Sequence, residues 1–264
     1  MKTLNELKKA LKAINARIEK VTAEIKTLTL ENELMDAYTR HSIAIENHNR
    51  DEALKAVEDL KAIHKNMEDP ARKKAIEQAN SRLFDLNLMG AIIRDNCKVA
   101  FFNECYPILV KAFEPYEGKS YGEKTQEKIY TACKEHGFVY NISRSWCGVE
   151  LTIQELDNNG YTFPGGRKIE VWGTRLTADD NGKERIISSA FLTDDNKIHF
   201  DGIIPKISAK YTEDPAKKAR EIRKAYKAME KITRERETLR TELTELLPSG
   251  VKAPDITPDY IIRF

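Results

Sequence analysis

Four cysteines and five histidines are the residues of this chain most able to do chemistry. Cys133 and His136 stand three residues apart, a spacing found in metal sites, and Cys147 and His199 are the companions that a four-ligand zinc site would need. The same spacing fits a thiol on the buried side of a helix, with a histidine at the helix end. There the dipole favours a cation without any metal, and we adopt that reading. Cys147, between Trp146 and Gly148, could act as a nucleophile if a histidine approached it, but no histidine is near it in sequence. Asp179-Asp180 and Asp194-Asp195 offer hard-cation oxygens, yet each pair sits in a stretch that reads as a tight turn, where acids serve the turn itself. His41 and His48 are seven residues apart, which would put them on one face of a continuous helix, and His64 lies further on. Gly165-Gly166-Arg167 lies between strand-like segments and leads into no helix, so it lacks the context of a phosphate loop. No dinucleotide loop, nucleophile elbow, zincin motif or kinase motif set is present. The expectation is a protein that is not an enzyme and holds no cofactor or metal.

Two other groups of residues suit binding. Lys217, Arg220, Lys224, Lys227, Lys231 and Arg234 recur at 3-4-3-4-3 spacing, one basic stripe along a helix. Such a stripe can follow a phosphate backbone. It can also be an ordinary solvated face, since Lys and Arg are good helix formers and five nearby glutamates dilute the field. No aromatic residues are interleaved to stack on bases. The tail from residue 248 carries prolines and closes on Asp-Tyr-Ile-Ile-Arg-Phe, so Tyr260, Ile261, Ile262 and Phe264 form an apolar peptide. It could seat on a partner's groove or sheet edge, or dock on its own domain.

The elements that must carry these residues are mostly helical. Leu4, Leu7, Leu11, Ile14, Ile18, Val21, Ile25 and Leu28 repeat 3-4-3-4-3-4-3 without a glycine or proline, an uninterrupted heptad seam. Residues 34–137 read as further helices. Asp69-Pro70 starts one that should run from Ala71 to about Phe102, with Pro107 as punctuation beyond it, and Gly137 ends the last. After Gly137 the period becomes two: Val149, Leu151 and Ile153 alternate with polar residues, as do the residues from Lys168 to Trp172. Asp157-Asn158-Asn159-Gly160, residues 179–182 and residues 194–196 read as turns. Residues 138–204 are therefore expected to form a small antiparallel sheet of four or five strands. Residues 205–247 return to helix, where Ile222, Ala225, Met229, Ile232, Arg236, Leu239, Leu243 and Leu246 repeat the 3-4 spacing of the first segment.

The fold class is thus α+β, with residues 1–33 and 205–247 as coiled-coil helices around a helical region, a sheet region and a Pro-containing tail. The two terminal seams are equal in length, and we expect them to pair antiparallel. That register sets Leu4 against Leu246 and Leu28 against Ile222, and leaves only Ile14 facing a polar residue, Arg236. Charge is uneven within a net +2: residues 206–240 hold twelve bases against six acids, and residues 31–70 hold ten acids against five bases. No stretch approaches the roughly 18 apolar residues that span a bilayer, and the charged start lacks a leader's apolar run. The expectation is a cytoplasmic protein with reduced cysteines and no membrane contact. Its function is expected to be non-catalytic interaction with a protein partner, as adaptor, assembly factor or inhibitor. Nucleic-acid binding through the basic stripe is the alternative.

Overall fold

The computed structural model describes residues 1–145, 148–162, 166–178, 184–188, 191–193, 195–200 and 203–245. Its body, Met1 to Pro215, holds five helices and a sheet. Helix α1 (Leu4–Leu28) starts on a capping box, in which Glu6 N–H donates to Thr3 Oγ1 at 3.3 Å and Thr3 N–H donates to Glu6 Oε2 at 2.8 Å. Helices α2 (Glu31–Glu46) and α3 (Arg50–Met67) follow, then α4 (Pro70–Phe113), 44 residues long. Asp69 caps α4 by accepting from Ala71 N–H and Arg72 N–H, and Pro70 occupies the first turn, where its missing N–H costs nothing.

Helix α4 fills the α1 seam. Leu4, Leu7, Ile14 and Val21 are buried, and Leu11, Ile18, Ile25 and Leu28 are half-buried against the same core. The two helices run antiparallel: Leu4 N–H donates to Glu104 Oε1 at 3.4 Å at one end, Arg82 pairs with Glu24 further along, and Arg72 Nη1 donates to the Leu28 carbonyl at 3.3 Å at the other. The matching stripe on α4 is Ile76, Ala79, Leu83, Leu86, Gly90, Ile93, Cys97 and Ala100, itself spaced 3-4-3-4-3-4-3. The expected pairing of the two terminal helices is not confirmed. The physical reason is that α4 offers the α1 seam an equally long stripe of apolar and small residues, most of them buried.

Helices α2 and α3 pack on each other through small residues, with Ala37, Ala44 and Ala56 buried. Arg40 bridges the pair, donating to Asp36 at 3.0 Å and to Asp59 at 2.9 Å. Helix α4 continues past its expected end near Phe102, straight through Pro107. Cys105, Leu109 and Phe113 are buried beyond that point, and their burial holds the helix together. The carbonyl that Pro107 leaves without a donor belongs to Asn103, an exposed residue, where water can satisfy it.

After a short 3-10 turn, Glu114–Tyr116, comes α5 (Glu123–Lys134), which Gly137 terminates at φ +79. The antiparallel sheet contains β1 (Phe138–Ser145), β2 (Gly148–Glu155), β3 (Lys168–Ala178), β4 (Glu184–Ser188) and β5 (Ile203–Lys206). Its order is β1-β2-β3-β4, with β5 also pairing β3. Leu151 lies opposite Val171 and Ile153 opposite Ile169, and all four are buried, so the period-two pattern found in the sequence marks the inner face. Phe113 joins this sheet to α4, stacking on Phe200 at 4.7 Å between centroids and meeting Tyr140 edge-on at 5.1 Å. Asn96, buried on α4, donates through Nδ2 to the Thr212 carbonyl at 2.7 Å and accepts from Thr212 N–H at 2.7 Å. Its amide thus takes the place of a neighbouring strand.

The second unit begins at Ala216 and contains almost all of α6 (Pro215–Glu245). From Lys224 to Glu242 every residue of α6 is exposed. Among the described residues no helix is long and apolar enough to cross a membrane.

Two glycines lead to opposite predictions. A Cβ at Gly90 meets Ile14 Cγ2 at 3.5 Å and Ile18 Cδ1 at 3.9 Å, ordinary contact distances. Gly90→Ala is therefore expected to stabilise the fold by about 0.5–1 kcal/mol, the helix-propensity gain. A Cβ at Gly173 in β3 collides with Ile203 and lies 2.9 Å from Phe191 Cζ. Gly173→Ala is expected to destabilise by about 1–3 kcal/mol through overpacking. Urea denaturation of both variants checks the pair, and a shift of the same sign in both contradicts the packing described.

Candidate interaction surfaces

The residues that sequence reasoning marked for chemistry are dispersed. Cys133 is buried on α5, and His136 is exposed just past the helix, its N–H donating to the Cys133 carbonyl at 3.0 Å. His199 is engaged elsewhere: its Nδ1 lies 2.6 Å from Glu117 Oε1, and Glu117 Oε2 accepts from Phe200 N–H at 2.7 Å. Among the described residues no three His, Cys, Asp or Glu side chains gather as a metal set. Cys147, Asp179, Asp180 and Asp194 lie outside the described residues. Asp195 does turn work, bound to Lys197 Nζ at 2.6 Å and to Thr193 Oγ1, and Lys197 first and Thr193 second hold its carboxyl below the usual range. His41 and His48 do not share a helix face, because α2 ends at Glu46 and His48 sits at φ 54 in the turn to α3. Burial pushes the Cys105 and Cys133 thiols up to about 12. It raises Cys97 too, against the pull of Arg167 and Lys8. All three are free thiols that stay protonated near neutrality, which makes them poor nucleophiles.

Sequence reasoning missed one polar cluster. Glu155, at the end of β2, accepts from Lys8 Nζ of α1 at 2.9 Å and from Arg167 Nη2 at 2.7 Å. Glu155 N–H also donates to the Arg167 carbonyl at 2.9 Å. The Arg167 Nε is buried with no hydrogen-bond partner among the described residues. Residues 8, 155 and 167 share no period and no local motif, so no sequence signal could have joined them. Their arrangement fastens the sheet to α1. A second polar feature is an open cleft of about 410 Å³ between α5 and β1, lined by Tyr121, Tyr130, Tyr140, Glu123 and Glu127. There the Tyr121 and Tyr140 hydroxyls lie 3.1 Å apart. Burial, with the Tyr121 hydrogen bond adding to it, keeps Tyr140 protonated far above the usual phenol range.

Apolar side chains also face outward. On the α2–α3 pair the buried contacts are alanines, while Met35, Tyr38, Ile43, Ile45 and Leu54 are exposed. On α6, the seam residues Met229, Ile232 and Leu239 are exposed by 45%, 55% and 56%. An exposed heptad stripe differs from those of α1 and α4, whose seam residues are buried or half-buried. Lys217, Arg220, Lys224, Lys227, Lys231 and Arg234 are exposed as well. Lys231 lies 3.6 Å from Glu235, and Arg234 pairs with Glu230. Tyr260, Ile261, Ile262 and Phe264 lie outside the described residues. Neither the family models, nor the curated proteins, nor the solved structures compared with this chain give a match.

The Glu155 cluster yields a pH-dependent prediction. Burial by itself raises the Glu155 carboxyl, but the hydrogen bonds from Lys8 and Arg167 outweigh it and hold the group below its ordinary 4.5. A depressed folded value stabilises fully above 4.5, and that stabilisation is lost as pH falls through the folded value. Glu155→Gln is expected to cost about 2 kcal/mol at neutral pH, below the cost for a wholly buried pair because the Lys8 side chain is 42% exposed. Denaturation curves from neutral to acid pH should show parent and variant converging below pH 4.5. A gap that stays constant with pH would refute the assignment.

Proposed function

We propose that this chain is a non-catalytic interaction protein, an adaptor, assembly factor or inhibitor, that works by presenting helical surfaces to a protein partner. The observation that carries this reading is the exposed seam of α6, with Met229, Ile232 and Leu239 all about half-exposed. Most helical stability in proteins comes from covering an apolar face, and this stripe is left uncovered among the described residues. Residues 224–242 contain neither glycine nor proline, and ten of the nineteen are Lys, Arg or Glu, good helix formers that favour the helical form a partner would meet. Cytoplasmic residence belongs to the same proposal, because three buried free thiols suit a reducing compartment.

A second reading has its own support. The six basic residues from Lys217 to Arg234 are all exposed along α6 and form a stripe that a nucleic-acid backbone could follow.

Affinity purification of the full chain, beside an Ile232→Asp/Leu239→Asp variant, tests the first reading. The expected result is a protein that co-purifies with the parent and is lost with the variant. Equal recovery with both, or none with either from a chain that is also monomeric, removes the α6 surface from the account. For the second reading, a labelled oligonucleotide should bind the parent at low salt and fail to bind Lys224→Glu/Lys227→Glu/Lys231→Glu. Log affinity should fall against log salt by about 0.7–0.9 per phosphate neutralised. No binding by the parent excludes nucleic acid.

A further inference from the structure

We propose, resting on the reading of α6 as an interaction helix, that its seam is closed by the same helix of a second copy of this chain, parallel and in register. Residues 222–243 repeat in heptads, with Ile222, Met229, Arg236 and Leu243 at a, and Ala225, Ile232 and Leu239 at d. The chain's other heptad surfaces are in use within the body: the α1 stripe has Leu4, Leu7, Ile14 and Val21 buried, and the α4 stripe has Ala79, Leu86, Ile93, Cys97 and Ala100 buried. Only on α6 does such a stripe stand exposed among the described residues.

The flanking charges choose the partner and its direction. The g positions are Glu221, Ala228, Glu235 and Glu242, and the e positions include Tyr226, Thr233 and Arg240. In a parallel pair each g residue faces the e residue five positions on in the other copy. Glu221 then meets Tyr226, Ala228 meets Thr233, and Glu235 meets Arg240. The last is an ion pair that two-fold symmetry makes twice, and no like charges oppose each other in these layers. An antiparallel pair sets g against g, which brings glutamates together at a row where three of four residues are Glu. Arg236 is the one polar member of the seam. In a parallel pair it faces its own copy, which costs affinity but fixes register and favours two strands, while its alkyl stem packs and its guanidinium reaches water. The basic stripe falls at c and f positions, on the outer face, and the dimer leaves it exposed.

Sedimentation equilibrium of the full chain tests this. The expected mass is twice 30.3 kDa at sufficient concentration. Arg236→Leu should tighten the dimer about tenfold or more by making that layer apolar. Glu235→Arg should loosen it about tenfold, and Glu235→Arg/Arg240→Glu should restore it. Parent and Arg236→Leu both monomeric throughout would overturn the proposal, as would tightening by Glu235→Arg, the signature of antiparallel pairing. A monomeric chain whose co-purified protein is still lost on Ile232→Asp/Leu239→Asp sinks the second copy and keeps the interaction helix. A monomer with no such loss sinks both.

Discussion

Along its 44 residues α4 presents apolar side chains that no single neighbour can cover, and the body is built around meeting that requirement. Helix α1 covers the stretch from about Arg72 to Glu104, antiparallel, with Gly90 at the place where Ile14 and Ile18 come close. Beyond it, Cys105, Leu109 and Phe113 pass into the core shared with α5 and the sheet. Asn96 adds a polar requirement on the same helix. Buried, it must place both ends of its amide, and the backbone of Thr212 receives them. Because these contacts continue past Pro107, the helix continues as well.

Polar chemistry in the body serves this packing. The Glu155 carboxylate is held by a lysine from α1 and by Arg167 just ahead of β3. His199 is held by Glu117 next to the turn that follows α4. The buried thiols are kept protonated by their surroundings. The Glu155 and His199 contacts each join one element to another. The surfaces that face outward have a different composition: large apolar side chains over an alanine-packed helix pair, and a heptad stripe beside a basic one on α6. That contrast supports the interaction role proposed above.

The candidate site was legible in part. The α6 seam and the basic stripe can be read directly from residue spacing, since period alone assigns residues to helix faces. The Glu155 cluster cannot, because Lys8, Glu155 and Arg167 meet only after α1, β2 and the approach to β3 have been positioned. The outward apolar residues of α2 and α3 were also hidden. Ala37, Ala44 and Ala56 do not stand out as a seam, yet they form the interface, and this turns Met35, Tyr38 and Ile45 to solvent.

By itself, the sequence determined the local elements: the helix under the first heptad seam, the strands with period two, the stop at Gly137 and the spacing of the heptad stripes. It did not determine what each stripe faces. Three stripes of equal length and spacing occur in this chain, and the α4 stripe is less plain because Gly90 and Ala100 stand where large apolar residues would mark it. Only the tertiary structure decided that α1 pairs with α4. Periodicity records which residues share a face, whereas what covers that face depends on side-chain volumes and on which segments the intervening chain can bring together.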